Sequence, residues 1–150
     1  MIWAILAILG VPLWLIAVFL FVLLRSRSKV NKIPQSFPCK ARAASGGVSG
    51  LTDSFPRYKA RGHWVHDVLI LHGGNPFLIQ TMPHGVAGLV HEPDAAERTI
   101  KHLKRIKDPV SLRYRTDSGD VIEVVCAQDD LPRSRGPFSA TAASPPITTG

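Results

Sequence analysis

The stretch at residues 2–24, IWAILAILGVPLWLIAVFLFVLL, decides the predicted fold, because it carries no charged side chain and is followed at once by the basic run RSRSK at 25–29. Its 23 residues would extend about 34 Å as an α-helix. The hydrocarbon core of a bilayer is about 30 Å thick. Gly10 and Pro12 fit this interpretation, since both residue types are more common in membrane helices than in soluble ones. The pattern predicts a single transmembrane anchor over residues 1–24.

A cleaved signal peptide is the alternative interpretation of this stretch. A signal peptide has a basic leader, an apolar run of about 7–15 residues and a small-x-small cleavage site. Here no basic side chain precedes the run, the run is longer, and the nearest suitable small residues, Ala41 and Ala43, lie far downstream. We therefore expect an uncleaved anchor.

The orientation of the anchor follows from its flanks. All of the nearby basic side chains follow it, namely Arg25, Arg27, Lys29 and Lys32. The positive-inside rule then predicts a single-pass protein of the plasma membrane, with the N-terminus outside and the rest in the cytoplasm. These four side chains, in a polybasic juxtamembrane linker at 25–36, could also contact anionic lipid. A stop-transfer flank is the simpler explanation.

The rest of the chain has the size of one small domain. The formal net charge of +7 belongs entirely to residues after the anchor, and about 125 residues suffice for one core. Cys39 and Cys126 are far apart in sequence, and a reducing cytoplasm would keep them as free thiols. With the opposite orientation they could form one disulfide.

Alternating patterns predict a β-rich domain at 37–128. Residues 37–43 alternate apolar and basic side chains, and 110–115 with 121–126 form a hairpin around Gly119. A second hairpin over 63–82 is predicted to turn at Gly73-Gly74-Asn75. Arg57, Lys59 and Arg61 would share one face of an extended segment as a basic strip, although a charged edge strand is the plainer explanation.

One helix is predicted at about 94–107. Asp94 can cap it with Glu97 three residues later, and Pro109 ends it. Its exposed face would carry the basic side chains Arg98, Lys101, Lys104 and Arg105. This face could meet an anionic lipid or a protein partner, whereas a solvated face is the plainer interpretation. After residue 128 the chain is rich in Pro, Ser, Thr and Ala, so 129–150 is predicted to be a disordered tail.

Catalytic and metal motifs are not recognised in the sequence. His63 and His66 would point to opposite faces of a strand, no cysteine pair has zinc spacing, and Gly47-Val48-Ser49-Gly50 is too short for a nucleophile elbow. We expect no catalytic residue, no metal and no cofactor. The alternative is a small enzyme or metal-dependent regulator that uses His63, His66 and His72.

Four features of the sequence occur together: the leading apolar run, Phe37-x-Cys39-x-x-Arg42, Gly62-x-Trp64-Val65 and the hairpin at 110–126. In these features the chain resembles a family of small actinobacterial proteins of unknown function, which have one N-terminal span and a compact β-rich domain and are often encoded beside ATP synthase genes. The resemblance implies a pleckstrin-homology-like domain without established activity, and it supplies no catalytic residue. It also implies a final amphipathic helix, where this chain has a low-complexity tail.

The predicted protein is thus a transmembrane helix followed by a small α+β domain of about six short strands and one helix. We expect a non-enzymatic interaction domain whose partners are a bilayer with anionic lipids and a protein. Nucleic acid is not an expected partner, because no nucleic-acid motif accompanies the positive charge.

Overall fold

The computed structural model describes residues 2–75, 77–97 and 102–143. Within these ranges it does not describe the side chains at positions 2, 6, 9, 11, 26, 27, 30, 31 and 140–143. The chain divides into two compact units, Met1–Ile33 and Pro34–Gly150. We call them the first unit and the second unit.

The first unit is a single helix, α1 (Ile2–Asn31), of 30 residues. Pro12 lies inside the helix and Lys29 in its last turn. The described large apolar side chains of α1 are almost all exposed, among them Trp3, Trp14 and Phe19.

The predicted membrane anchor is contradicted. A span needs about 20 consecutive, predominantly apolar residues. Across the described part of the chain, no helix is both long enough and apolar enough to cross a membrane. The prediction was based on the apolar composition of residues 2–24. Among the described helical residues, no membrane span is found. The single-pass plasma-membrane location, with its N-terminus outside and its domain in the cytoplasm, depended on that anchor and is contradicted with it.

Among its described residues, the second unit contains seven antiparallel strands, so its fold is mostly β rather than the predicted α+β of about six short strands and one helix. Most of the strands have the Val, Ile, Leu or aromatic content that suits a pleated, half-buried surface. The strands are β1 (Phe37–Ser45), β2 (Ala60–Val65), β3 (Val68–Asn75), β4 (Leu78–Leu89), β5 (Asp94–Ala95), β6 (Pro109–Thr116) and β7 (Val121–Ala127).

The strands form one sheet in the order β4-β3-β2-β1-β7-β6-β5. The long strand β4 pairs with β3 over 78–85 and then with β6, where Val86 is opposite Thr116 and Leu89 is opposite Tyr114. Because β4 has both neighbours, the sheet closes on itself. The first strand, β1, lies between β2 and the last strand, β7.

The main core fills the inside of this closed sheet. Alternate residues of each strand point inward, as the period of two requires. The fully buried side chains are Phe37, Cys39, Leu69, Leu71, Leu112, Tyr114, Ile122, Val124 and Cys126.

A segment after β7 packs against this core, so the predicted disordered tail does not begin at residue 129. It consists of a 3-10 turn (Gln128–Asp130), the short helix α2 (Leu131–Arg135) and a 3-10 helix (Gly136–Ala143). Ser134 is fully buried, and its carbonyl accepts hydrogen bonds from Trp64 Nε1 at 2.9 Å and Tyr114 Oη at 2.5 Å. Phe138 stacks edge-on against Trp64. The low-complexity composition of this segment gave no indication of these long-range contacts. Residues 144–150 of the predicted tail lie outside the described residues.

The predicted helix at 94–107 is wrong in its described parts. Asp94 and Ala95 form β5 against β6, and the Ala96 amide donates to the Pro109 carbonyl at 2.8 Å. Residues 102–107 form turns and bends, and His102 has a left-handed φ of 74°. The spacing that suggested a helix instead lets Leu103 and Ile106 be buried against β7, while 98–101 lie outside the described residues.

Candidate interaction surface

Two loops of the second unit cover the outer face of β7. The β1–β2 loop (46–59) contributes Phe55, and the turns and bends at 102–108, which precede β6, contribute Leu103 and Ile106. These three side chains pack with Val125 of β7 in a second apolar cluster, separate from the main core. The cluster brings together two segments that are distant in sequence.

Both loops carry exposed cations beside this cluster. Arg57 and Lys59 follow Phe55 closely, while Lys104, Arg105 and Lys107 surround Ile106, and all five side chains are exposed. We call these five residues the basic surface. The Arg57 guanidinium lies 5.9 Å from the ring centre of Tyr58, which is 44% exposed. The basic surface thus includes an aromatic ring among its charges.

Lys40 of β1 forms hydrogen bonds to the backbone of the β1–β2 loop. Its side chain is almost completely buried, and Nζ donates to the carbonyls of Pro56 at 2.9 Å and Arg57 at 3.0 Å. The pKa of Lys40 is lowered, chiefly by burial and further by the charges of Lys59 and Arg105. Cations from both loops are therefore close enough to act on the same ammonium group.

The neighbouring Arg42 is already satisfied within the domain. Its Nε donates to Glu123 Oε2 at 2.6 Å, and its guanidinium lies 4.6 Å from the ring centre of Phe55. Ser111 Oγ donates to the other carboxylate oxygen of Glu123 at 2.7 Å. Since Glu123 is buried, this network supports the sheet, and we do not count Arg42 in the basic surface.

The β3–β4 hairpin ends near the β1–β2 loop. Pro56 and Tyr58 of the loop, together with Gly74 and Gln80 of the hairpin, line the same cavity of about 140 Å³. At the hairpin tip, Phe77 is 70% exposed and Leu78 is 61% exposed. An exposed apolar tip therefore accompanies the basic surface.

The predicted site residues are only partly brought together. Lys104 and Arg105 belong to the basic surface, but they lie in turns rather than on a helix face, and Arg98 and Lys101 lie outside the described residues. The other four predicted site residues belong to the first unit. Arg25 and Lys29 are exposed on α1, and Lys32 follows the helix. For Arg27 only the helical backbone is described.

The predicted basic strip divides at the start of β2. Arg57 and Lys59 lie in the loop, whereas Arg61 lies within β2 and donates from Nη1 to Ser36 Oγ at 2.9 Å. Sequence reasoning did not foresee the role of Lys40. The alternation of residues 37–43 separates Lys40 from the apolar side chains of β1, and its contact with the β1–β2 loop was not predicted.

The histidines form a pair rather than a triad. His63 and His72 stack with ring centres 5.1 Å apart, and His72 Nδ1 lies 3.1 Å from Thr81 Oγ1. Burial lowers the pKa of both, and His63 lowers that of His72 further. His66 is exposed in the turn between β2 and β3, and its φ is 56°. Within residues 2–75, 77–97 and 102–143, no group of three or more His, Cys, Asp or Glu side chains could hold a metal ion.

Comparisons of this chain with protein-family models, with curated proteins and with solved structures found no match. The resemblance to the actinobacterial family stays a prediction. The functional interpretation therefore depends on the fold and on the surface described above.

Proposed function

We propose that the second unit is a non-enzymatic binding domain whose basic surface engages an anionic partner, either an acidic protein segment or a layer of anionic lipid headgroups. The observation that carries this proposal is the apolar cluster of Phe55, Leu103, Ile106 and Val125. It fixes two basic loops beside each other, so their charges act as one surface.

The arrangement suits binding better than it suits stability. Like charges that are held together repel one another, and exposed single charges contribute little to folding. Burial is the main reason that the pKa of Lys40 is lowered, and the charges of Lys59 and Arg105 lower it further. An anionic partner would relieve the repulsion among these cations, which supports a role in recognition.

The arrangement of the histidines does not favour the His-dependent enzyme. Catalysis would require His63, His66 or His72 to converge with an acid or a thiol in a pocket. Instead, His63 and His72 stack on each other, and the hydrogen-bonding neighbour of His72 is the Thr81 hydroxyl.

Neutralising the basic surface tests the proposal. In the full chain, Arg57→Gln, Lys59→Gln and Arg105→Gln are combined, and binding is titrated with a polyglutamate peptide and with phosphatidylserine vesicles. Each cation near an anionic surface contributes about 1 kcal/mol, so the triple variant should bind roughly hundredfold more weakly to the surface it recognises. The matched control is Arg115→Gln, which removes an exposed arginine of β6 outside the two loops.

Salt sensitivity provides a second criterion. Exposed charges are screened over about 10 Å at 0.1 M salt. Binding by the unmodified chain should therefore weaken steeply as salt is raised, and binding by the triple variant should respond much less. Equal affinity of the triple variant and the Arg115→Gln control for both probes would disprove the proposed function.

A further inference from the structure

Two consecutive large apolar side chains are exposed at the tip of the β3–β4 hairpin. Phe77 is 70% exposed and Leu78 is 61% exposed, although each could contribute to a core if it were buried. Apolar side chains that are exposed close together are a feature of interaction sites.

Local contacts fix the backbone conformation of the tip. The Asn75 side-chain oxygen accepts hydrogen bonds from the amides of Phe77 at 2.9 Å and Leu78 at 2.7 Å. Gly74 has a φ of 121°, and a side chain at this position would collide with the Leu78 carbonyl. The local chain is therefore preorganised with its apolar side chains presented, which reduces the ordering cost of binding.

The β1–β2 loop lies close to the β3–β4 hairpin. Gly74 and Gln80 share a cavity with Tyr58, and Arg57 and Lys59 flank Tyr58 in the sequence. This combination of an apolar tip, an amphipathic ring and cations suits the three environments of a lipid surface, which are the acyl chains, the interface and the anionic headgroups.

We infer that Phe77 and Leu78 insert into the surface layer of an anionic lipid bilayer while Arg57 and Lys59 contact its headgroups. This inference rests on the proposed function, because the basic surface supplies the attraction, and it selects lipid as the anionic partner. The contact is peripheral and made by a hairpin tip.

The shape of the tip favours lipid over an acidic protein. The two side chains project from a hairpin end, and a fluid surface layer accepts such a projection without a preformed pocket. An acidic protein segment would satisfy the cations but would leave Phe77 and Leu78 in water unless it also supplied a groove. Charge complementarity and apolar projection are satisfied together by anionic lipid.

A fluorescent label at the tip tests the inference. In the full chain, Leu78→Cys is labelled with an environment-sensitive thiol dye, and the native thiols do not compete because Cys39 and Cys126 are buried. The matched control carries the label at Asp129→Cys, an exposed position after β7. Emission and acrylamide quenching are measured with phosphatidylserine vesicles, phosphatidylcholine vesicles and polyglutamate. The readout is local, so it reports the tip and not α1.

The expected result is a blue shift and a several-fold smaller quenching constant at position 78 with phosphatidylserine vesicles alone, while the label at position 129 stays in water. Adding Arg57→Gln and Lys59→Gln should raise the lipid concentration at half-change roughly 25-fold, about fivefold for each cation. Adding Phe77→Ser should raise it about tenfold, because a large part of one buried aromatic side chain is lost.

Two outcomes would overturn the inference and leave the proposed function standing. In one, phosphatidylserine vesicles bind in a manner that depends on the basic surface, but the label at 78 remains exposed to acrylamide. In the other, polyglutamate shifts the label and vesicles do not, which would identify a protein partner. If neither probe binds in a manner that depends on the basic surface, the proposed function fails as well.

Discussion

Cys39 of β1 and Cys126 of β7 are directly opposite each other in the antiparallel register, and both are free thiols buried to 1% or less exposure. Burial is the main reason that the pKa of each thiol is raised. Cys126 Sγ also donates to Ser134 Oγ at 3.3 Å, which connects the pair to the segment after β7.

These thiols should be unreactive while the domain is folded. The thiolate is the reactive form, and both burial and a raised pKa suppress it. We expect a maleimide to label neither cysteine in the native chain at pH 7 and both in 6 M guanidinium, as counted by intact-mass spectrometry. Rapid labelling of either thiol without denaturant would show that the β1–β7 pairing opens readily.

Gly136 is predicted to be intolerant of a side chain. Its φ is 52°, and a Cβ atom there would overlap the Trp64 ring, which is held by its hydrogen bond to Ser134. Gly136→Ala should lower the free energy of unfolding by at least about 2 kcal/mol through strain and overpacking. Urea denaturation measures this effect. Gly47→Ala is the control, since open space surrounds that position and its φ is not left-handed, and equal midpoints for the two variants would contradict the packing of the 3-10 helix on Trp64.

Mild acid should destabilise the second unit through its histidines. Burial lowers the folded-state pKa of His63, His72 and His84 below the ordinary value of 6.5. Between the folded and unfolded pKa values the unfolded chain binds more protons, so stability rises with pH there. The stabilisation is complete above about pH 6.5 and should be lost as the pH falls below it.

Unfolding midpoints between pH 7.5 and 5 measure this dependence. The double variant His63→Gln with His72→Gln should show a flatter profile, because it removes the stacked pair. His66→Gln serves as the control, since His66 is exposed in a turn. An unchanged slope in the double variant would mean that the pair does not contribute to the acid sensitivity.

Lys40 should stabilise the β1–β2 loop. Lys40→Met removes a charged donor from the carbonyls of Pro56 and Arg57. Hydrogen bonds to charged groups contribute about 1.5–3 kcal/mol, so we expect a loss of about 2 kcal/mol and faster amide exchange over 52–59. Denaturant titration and hydrogen-exchange mass spectrometry measure the two effects. The exposed Lys59→Met should change stability by less than about 0.5 kcal/mol, and a similar loss in both variants would contradict the role given to Lys40.

Local patterns predicted the parts of the fold that local contacts determine. The alternation at 37–43 is confirmed as β1, and the hairpin around Gly119 is confirmed as β6 and β7. The pairing on either side of Gly73-Gly74-Asn75 is confirmed, although β3 extends through Asn75 before the chain reverses. The turn at His66 was missed, because it divides what appeared to be one apolar strand and its left-handed residue is not a glycine.

Contacts between distant segments account for the errors. Leu103 and Ile106 have helical spacing, but their burial partner Val125 arrives from β7, and Asp94 pairs with Ser111 instead of capping a helix. Similarly, nothing in the composition around Ser134 indicates that its carbonyl meets Trp64 and Tyr114. The sequence predicted two separate groups of cations, a strip that included Arg57 and Lys59 and a helix face that included Lys104 and Arg105. The packing of Phe55 against Leu103 and Ile106 places the two groups beside each other, and the sequence alone did not indicate this contact.

The position of β1 between β2 and β7 has a consequence for the order in which the domain is completed during synthesis. Cys39 leaves the ribosome long before its register partner Cys126, so one side of β1 stays unpaired until nearly the whole domain has been made. Pairings of such long sequence separation form slowly, and unpaired strands of incomplete domains are prone to aggregate. We therefore expect nascent chains that stop before β7 to need a chaperone, whereas the addition of β7 and the Ser134 segment allows the domain to close in one late step.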